Sequence, residues 1–151
     1  MCRHVKGLKW AQWADPPSFA KRKRARGAKA AGLRFERKVA EELARRGEVW
    51  HGQWIEFEDV NGRGLAQPDF ILPSEGIVLE SKLTETPAAF EQLFSLYLPL
   101  LELLMGERLC GVQVCRNLAP VPREARPSGA YGEILDDLAP VPGAVWHYLP
   151  I

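Results

Sequence analysis

The turn cluster Pro73-Ser74-Glu75-Gly76 is flanked by two apolar, strand-like runs, one ending at Leu72 and the other opening at Ile77. Such a hairpin fixes its own register, and through it the facing of every side chain it carries. A two- or four-residue loop centred on that cluster pairs residue i with residue 149 − i. Asp69 then lies opposite Glu80, with Cα atoms about 4.5–5.5 Å apart, and Lys82 projects from the same face as Glu80. Like charges directly across a ladder are destabilising, and a divalent cation between them removes the repulsion. The spacing therefore predicts a metal site with a lysine beside it.

The plainer alternative is a solvent-facing side of an amphipathic hairpin, since Phe70, Leu72, Ile77, Leu79 and Leu83 line the other face. Three features oppose it. The polar face also carries Ile71 and Val78, Asp is disfavoured within strands, and the register sets acid against acid where a structural face would alternate signs.

A chain of 151 residues, 46% hydrophobic and 26% charged, suits one globular domain. No run approaches the 18 or so apolar residues of a membrane span. The N-terminus lacks an apolar leader-like region, so the expected setting is cytoplasmic, in a bacterial or phage-infected cell. Cys2, Cys110 and Cys115 have no CxxC spacing; buried or idle thiols are expected rather than a zinc site shared with His4. The net charge of +1 conceals an asymmetry. Residues 1–47 hold 14 Lys/Arg against 4 Asp/Glu, a net +10, while residues 48–151 hold 6 against 15, a net −9. The densest stretch contains Lys21, Arg22, Lys23, Arg24, Arg26 and Lys29, a candidate for binding a phosphate backbone without reading sequence.

Residues 1–26 show no period and read as an extended basic arm, with Trp10 and Trp13 packing on the body. From Gly27 to Arg46 the spacing of Leu33, Phe35, Val39, Ala40 and Leu43 predicts a helix. Glu36 falls on its inner edge with Gly32, where a carboxylate needs an Arg partner or a place beside the metal. Val49–Glu58 reads as a strand, residues 59–64 as a loop, and the hairpin comes next. Thr86 and Pro87 open a second helix, which Pro99 should kink or split and Gly106 should end. Gln92 lies on the flank able to face the carboxylates. Leu109–Arg116 reads as a fourth strand. The remainder, 118–151, is Pro-rich, repeats Leu-Ala-Pro-Val-Pro at 118–122 and 138–142, and adds an edge strand over Val145–Leu149. No phosphate-binding glycine loop, HExxH or GxSxG occurs, and His4, His51 and His147 are isolated in the sequence.

Gly32-Leu33-Arg34-Phe35-Glu36, Pro68-Asp69 and Glu80-Ser81-Lys82 together resemble the PD-(D/E)XK nuclease superfamily, the restriction-endonuclease-like fold that includes Holliday-junction resolvases. The resemblance covers about residues 30–115. It implies an α/β fold with an αβββαβ core, a central mixed sheet flanked by helices, spanning residues 27–117 between the arm and the C-terminal extension. It implies a Mg²⁺-dependent endonuclease acting on DNA, with Mn²⁺ able to substitute. Asp69, Glu80 and the Ser81 carbonyl would bind the metal, Lys82 would orient or deprotonate the attacking water, and Glu36 would hold a second metal or its water. The family often carries Gln-x-x-x-Tyr on the helix after these strands. Here Gln92 is succeeded at that spacing by Leu96, with Tyr97 one place late. Junction resolvases of this fold act as dimers, which implies a homodimer or larger assembly. The competing expectation is a non-catalytic DNA-binding or assembly protein of a phage or replication complex that kept the fold.

Overall fold

The computed structural model describes residues 5–13, 27–45, 47–84, 87–117 and 143–148. The chain is α/β, with two sheets and two helical segments among the described residues. Its elements are β1 (Val5–Trp10), α1 (Gly27–Ala44), β2 (Trp50–His51), β3 (Ile55–Asp59), β4 (Gly62–Ala66), β5 (Phe70–Leu72), β6 (Ile77–Thr84), α2 (Pro87–Gln92), a π-helical turn (Leu93–Tyr97), α3 (Leu98–Met105), β7 (Cys110–Asn117) and β8 (Gly143–Tyr148). Among the described residues no helix is long and apolar enough to cross a membrane.

The main sheet runs β2-β5-β6-β7-β8. It is antiparallel from β2 to β6 and parallel from β6 to β8, with the second helical segment crossing over between β6 and β7. The hairpin register matches the expected one: Phe70 pairs with Leu79, Ile71 with Val78 and Leu72 with Ile77. Both faces of this hairpin are covered. Phe70, Leu72, Ile77 and Leu79 pack with Phe35, Val39 and Leu43 of α1 and with Val112 and Val114. Ile71 and Val78 pack on the other side with Leu93, Tyr97, Leu98 and Leu101. A strand buried on both faces reads as a near-continuous apolar run, so the acids of this hairpin do not belong to a solvated side.

Four expectations need correction. The arm is not merely extended, because Val5–Trp10 pairs antiparallel with β3 and forms the second sheet, β1-β3-β4. Trp10 meets Trp50 edge-on at 5.6 Å, and Trp13 lies 5.7 Å from Trp54, so both tryptophans pack on the body. The expected strand at Val49–Glu58 is two strands in different sheets. Gly52, at φ 68°, takes the left-handed conformation that turns the chain from one sheet into the other. Residues 59–64 are a hairpin rather than a loop: the Asp59 side chain accepts the Asn61 N–H at 2.8 Å, and Gly62, at φ 106°, returns the chain into β4. Five strands, rather than three, thus stand between the two helical segments. The second segment breaks before Pro99, as expected, and ends at Gly106, whose φ of 70° makes a left-handed cap. The edge strand appears as β8, at Gly143–Tyr148; residues 118–142 lie outside the described residues.

Candidate active site

The β5–β6 ladder stops at Phe70 and Leu79, and the site forms where it ends. Asp69 lies in a bend just outside β5, preceded by the buried Pro68, which has no N–H to satisfy. Beyond the ladder, side chains take over from backbone. Glu80 Oε1 accepts the Asp69 N–H at 2.7 Å, and Asp69 Oδ2 accepts the Ser81 N–H at 2.8 Å and the Ser81 hydroxyl at 3.0 Å. The Asp69 carbonyl accepts the Gly52 N–H at 2.9 Å, and Gln67 Nε2 donates to the Gly52 carbonyl at 2.9 Å. Asp69 is therefore clamped on three sides. Each carboxylate spends one oxygen on this exchange; the other, Asp69 Oδ1 or Glu80 Oε2, accepts no hydrogen bond from a described residue.

Glu80 is 3% exposed and Ser81 8%, while Asp69 is half-buried. Burial and the neighbouring Asp69 charge raise the Glu80 carboxyl well above its ordinary range. Burial and the Glu36 charge raise Asp69, against the hydrogen bonds from Ser81. Lys82 Nζ stands 3.9 Å from Glu80 Oε2, a charge contact too long for a hydrogen bond. The expected set of Asp69, Glu80, Ser81 and Lys82 is thus brought together, with Ser81 acting in the structure as a donor that holds Asp69.

Glu36 comes within electrostatic reach of both acids from α1. Among the described residues a histidine pairs with it. His51 Nε2 lies 2.8 Å from Glu36 Oε1, and the ring stacks on Phe70 with centroids 4.5 Å apart. In the sequence His51 is isolated because its partner is 15 residues away; only the pairing of β2 with β5 brings it in. Gln92 is exposed at the end of α2. Tyr97 comes within electrostatic reach of both acids. It is 6% exposed, and burial together with the Glu80 and Asp69 charges pushes its phenol up, keeping it a neutral donor. Of the basic cluster, Lys29 is exposed on α1, while Lys21, Arg22, Lys23, Arg24 and Arg26 lie outside the described residues.

The donor set fits a hard divalent cation. Two carboxylates, each with one oxygen in hand and each disfavoured as an anion where it stands, are oxygen ligands of the type Mg²⁺ and Mn²⁺ take. Among the described residues no third His, Cys, Asp or Glu completes a cluster, which leaves the remaining positions to water, as is usual for Mg²⁺. A surface concavity lined by Lys9, Glu56, Phe57, Glu58 and Arg63 belongs to the other sheet. Its Glu56 is already paired with Lys9 at 3.3 Å, and neither of its acids is buried.

No protein-family model, curated protein or solved structure matches the chain.

Proposed function

We propose that this protein is a metal-dependent endonuclease of the restriction-endonuclease-like type, hydrolysing phosphodiester bonds in DNA, branched or junction DNA included. One observation carries the reading: two carboxylates, the half-buried Asp69 and the buried Glu80, are locked together where a strand pair ends, with the Lys82 ammonium 3.9 Å from one of them. A structural role does not call for this arrangement. Like charges withdrawn from water are unfavourable unless something cationic joins them, and an apolar pair would close the hairpin at lower cost.

In this reading Asp69 and Glu80 hold Mg²⁺ through the oxygens that the hairpin leaves unused. The cation supplies charge neutralisation at the scissile phosphate and an acidified water. Lys82 hydrogen-bonds the attacking water or a non-bridging phosphate oxygen, held in place by attraction to Glu80. Ser81 fixes the Asp69 rotamer through two hydrogen bonds. Glu36 adds negative charge that favours cation entry. The basic N-terminal third, at +10, provides a non-specific attraction for the nucleic-acid backbone.

The test is a cleavage panel of linear, flapped, single-stranded and four-way-junction DNA with Mg²⁺ or Mn²⁺, run on the wild type and on Lys82→Ala. The expected result is cation-dependent cleavage by the wild type. The variant should lose it, typically by two orders of magnitude or more, while keeping its melting temperature and DNA affinity. Equal cleavage by Lys82→Ala refutes the assignment of the site. DNA binding without cleavage or cation uptake by the wild type points instead to a non-catalytic assembly protein.

A further inference from the structure

Gln113 is the most anomalous polar residue in the sheet. It is 0% exposed, and neither its Oε1 nor its Nε2 has a hydrogen-bond partner among the described residues. Its strand neighbours Val112 and Val114 are buried and apolar, and an apolar side chain of similar length would occupy the same space without leaving polar atoms stranded. Groups of this kind are rare in native proteins and are usually satisfied by an ordered water or an ion.

Its position says what that partner is. In the parallel ladder Gln113 sits beside Glu80, so the two side chains leave the sheet on the same face. That face is the one under the second helical segment. Two residues earlier, Gly111 leaves no room for a side chain there, since a Cβ would lie 2.7 Å from Leu98 Cδ1 and 3.3 Å from Leu93 Cγ. The second helical segment therefore packs close over this stretch of β7, and the ladder sets Gln113 between Glu80 on β6 and Trp146 on β8. A carboxamide both donates and accepts, which suits water molecules held around a cation better than it suits the cation alone. Mg²⁺ characteristically retains several such waters.

We infer that Gln113 is a positioning residue of the Asp69–Glu80 site, its carboxamide binding the water shell of the divalent cation. This role rests on the cation reading of that site and extends it to a third strand, β7. Partners one layer out from a metal typically change its affinity 10–100-fold, so the effect is measurable without any cleavage assay.

Calorimetric titration of the full chain with Mn²⁺ compares the wild type with Gln113→Met, which keeps the length and removes the hydrogen bonds. The expected result is Mn²⁺ affinity reduced about 10–100-fold with a metal-free melting temperature equal to or above that of the wild type. Affinity within about threefold of the wild type, well short of that range, overturns the inference, as does a wild type that takes up no Mn²⁺. Should the variant fail to fold, amide NMR of the wild type titrated with Mg²⁺ decides. The Gln113 side-chain NH₂ resonance should move with the same midpoint as the Glu80 backbone amide, and a stationary resonance overturns the inference. Mn²⁺ binding without cleavage removes the nuclease reading and leaves Gln113 to these affinities; intact cleavage with unchanged affinity in Gln113→Met removes Gln113 alone.

Discussion

Replacing Glu80 with Gln should make the metal-free protein more stable while removing its response to cations. Gln keeps an oxygen to accept the Asp69 N–H, now held at 2.7 Å, so the hairpin exchange survives in neutral form at a loss of about 1 kcal/mol. The Lys82 contact at 3.9 Å is lost as an ion pair. With the lysine side chain 39% exposed, that loss is at most about 1 kcal/mol. Against these stands the removal of one of two neighbouring charges. At a separation of about 5 Å and an effective dielectric of about 20 the repulsion is about 3 kcal/mol. Relief of burying an anion that is 3% exposed adds to it. The net is a stabilisation of about 1–3 kcal/mol, or roughly 2–12 °C in melting temperature for a chain of this size.

The assay is thermal unfolding at about pH 8 in EDTA, then in about 10 mM Mn²⁺. If the wild-type site binds with a dissociation constant of about 1 mM, the cation stabilises it by about 1.4 kcal/mol, and Glu80→Gln should gain nothing. A variant that melts below the wild type in EDTA refutes the reasoning, because Glu80 would then be a structural hydrogen-bonding group rather than an anion held for a ligand.

The same geometry sets three further outcomes. Because burial raises both Glu80 and Asp69, the folded protein binds protons more tightly than the unfolded chain. This contribution to metal-free stability is present below the ordinary carboxylate range near about pH 4 and is lost as pH rises towards the elevated folded values. The melting-temperature gap between Glu80→Gln and wild type should accordingly widen from about pH 5 to about pH 8, and a constant gap contradicts the assignment. His51→Ala removes both the 2.8 Å contact with Glu36 and the stack on Phe70 and should cost about 1–3 kcal/mol in denaturant unfolding. A double-mutant cycle with Glu36→Gln should show coupling of at least about 0.5 kcal/mol, and strict additivity would remove the pair. Gly111→Val forces a side chain against Leu98 and Leu93 and should destabilise by about 1–3 kcal/mol, again read from denaturant unfolding, where an unchanged midpoint would show that the helix is not pressed onto β7.

Legibility in the sequence tracked local period and turn chemistry. The hairpin register could be read because Pro73–Gly76 fixed the turn and the residues on either side alternate between two buried faces. The second helix and its ends were legible from Pro87, Pro99 and Gly106 for the same reason. The split at Gly52 was not, since a single glycine inside a strand-like run is equally at home in a continuous strand, and the φ of 68° distinguishes the cases. His51 and Gln113 escaped for another reason. Each is unremarkable among its sequence neighbours, and each gains meaning from a strand partner, Phe70 in one case and Glu80 in the other. Long-range pairing carries that information.

The spacing of Gln92 and Tyr97 shows how a local irregularity can change which side chain meets a site. In an unbroken α-helix, Leu96 occupies the place one turn beyond Gln92 and would present an apolar side chain there. The chain instead forms a π turn over Leu93–Tyr97, closed by the Leu98 N–H on the Leu93 carbonyl. Each hydrogen-bonded turn then takes in five residues instead of four. Pro99 supplies a reason for the break to fall here, because a proline is tolerated in the first turn of a new helix but not within a continuing one. The extra residue leaves Phe94 51% exposed and Tyr97 buried near the acids. A tyrosine that arrives one place late for an α-helical pattern is therefore on time for a π-helical one. Its phenol, kept neutral by burial and by the two acids, lies within their electrostatic reach.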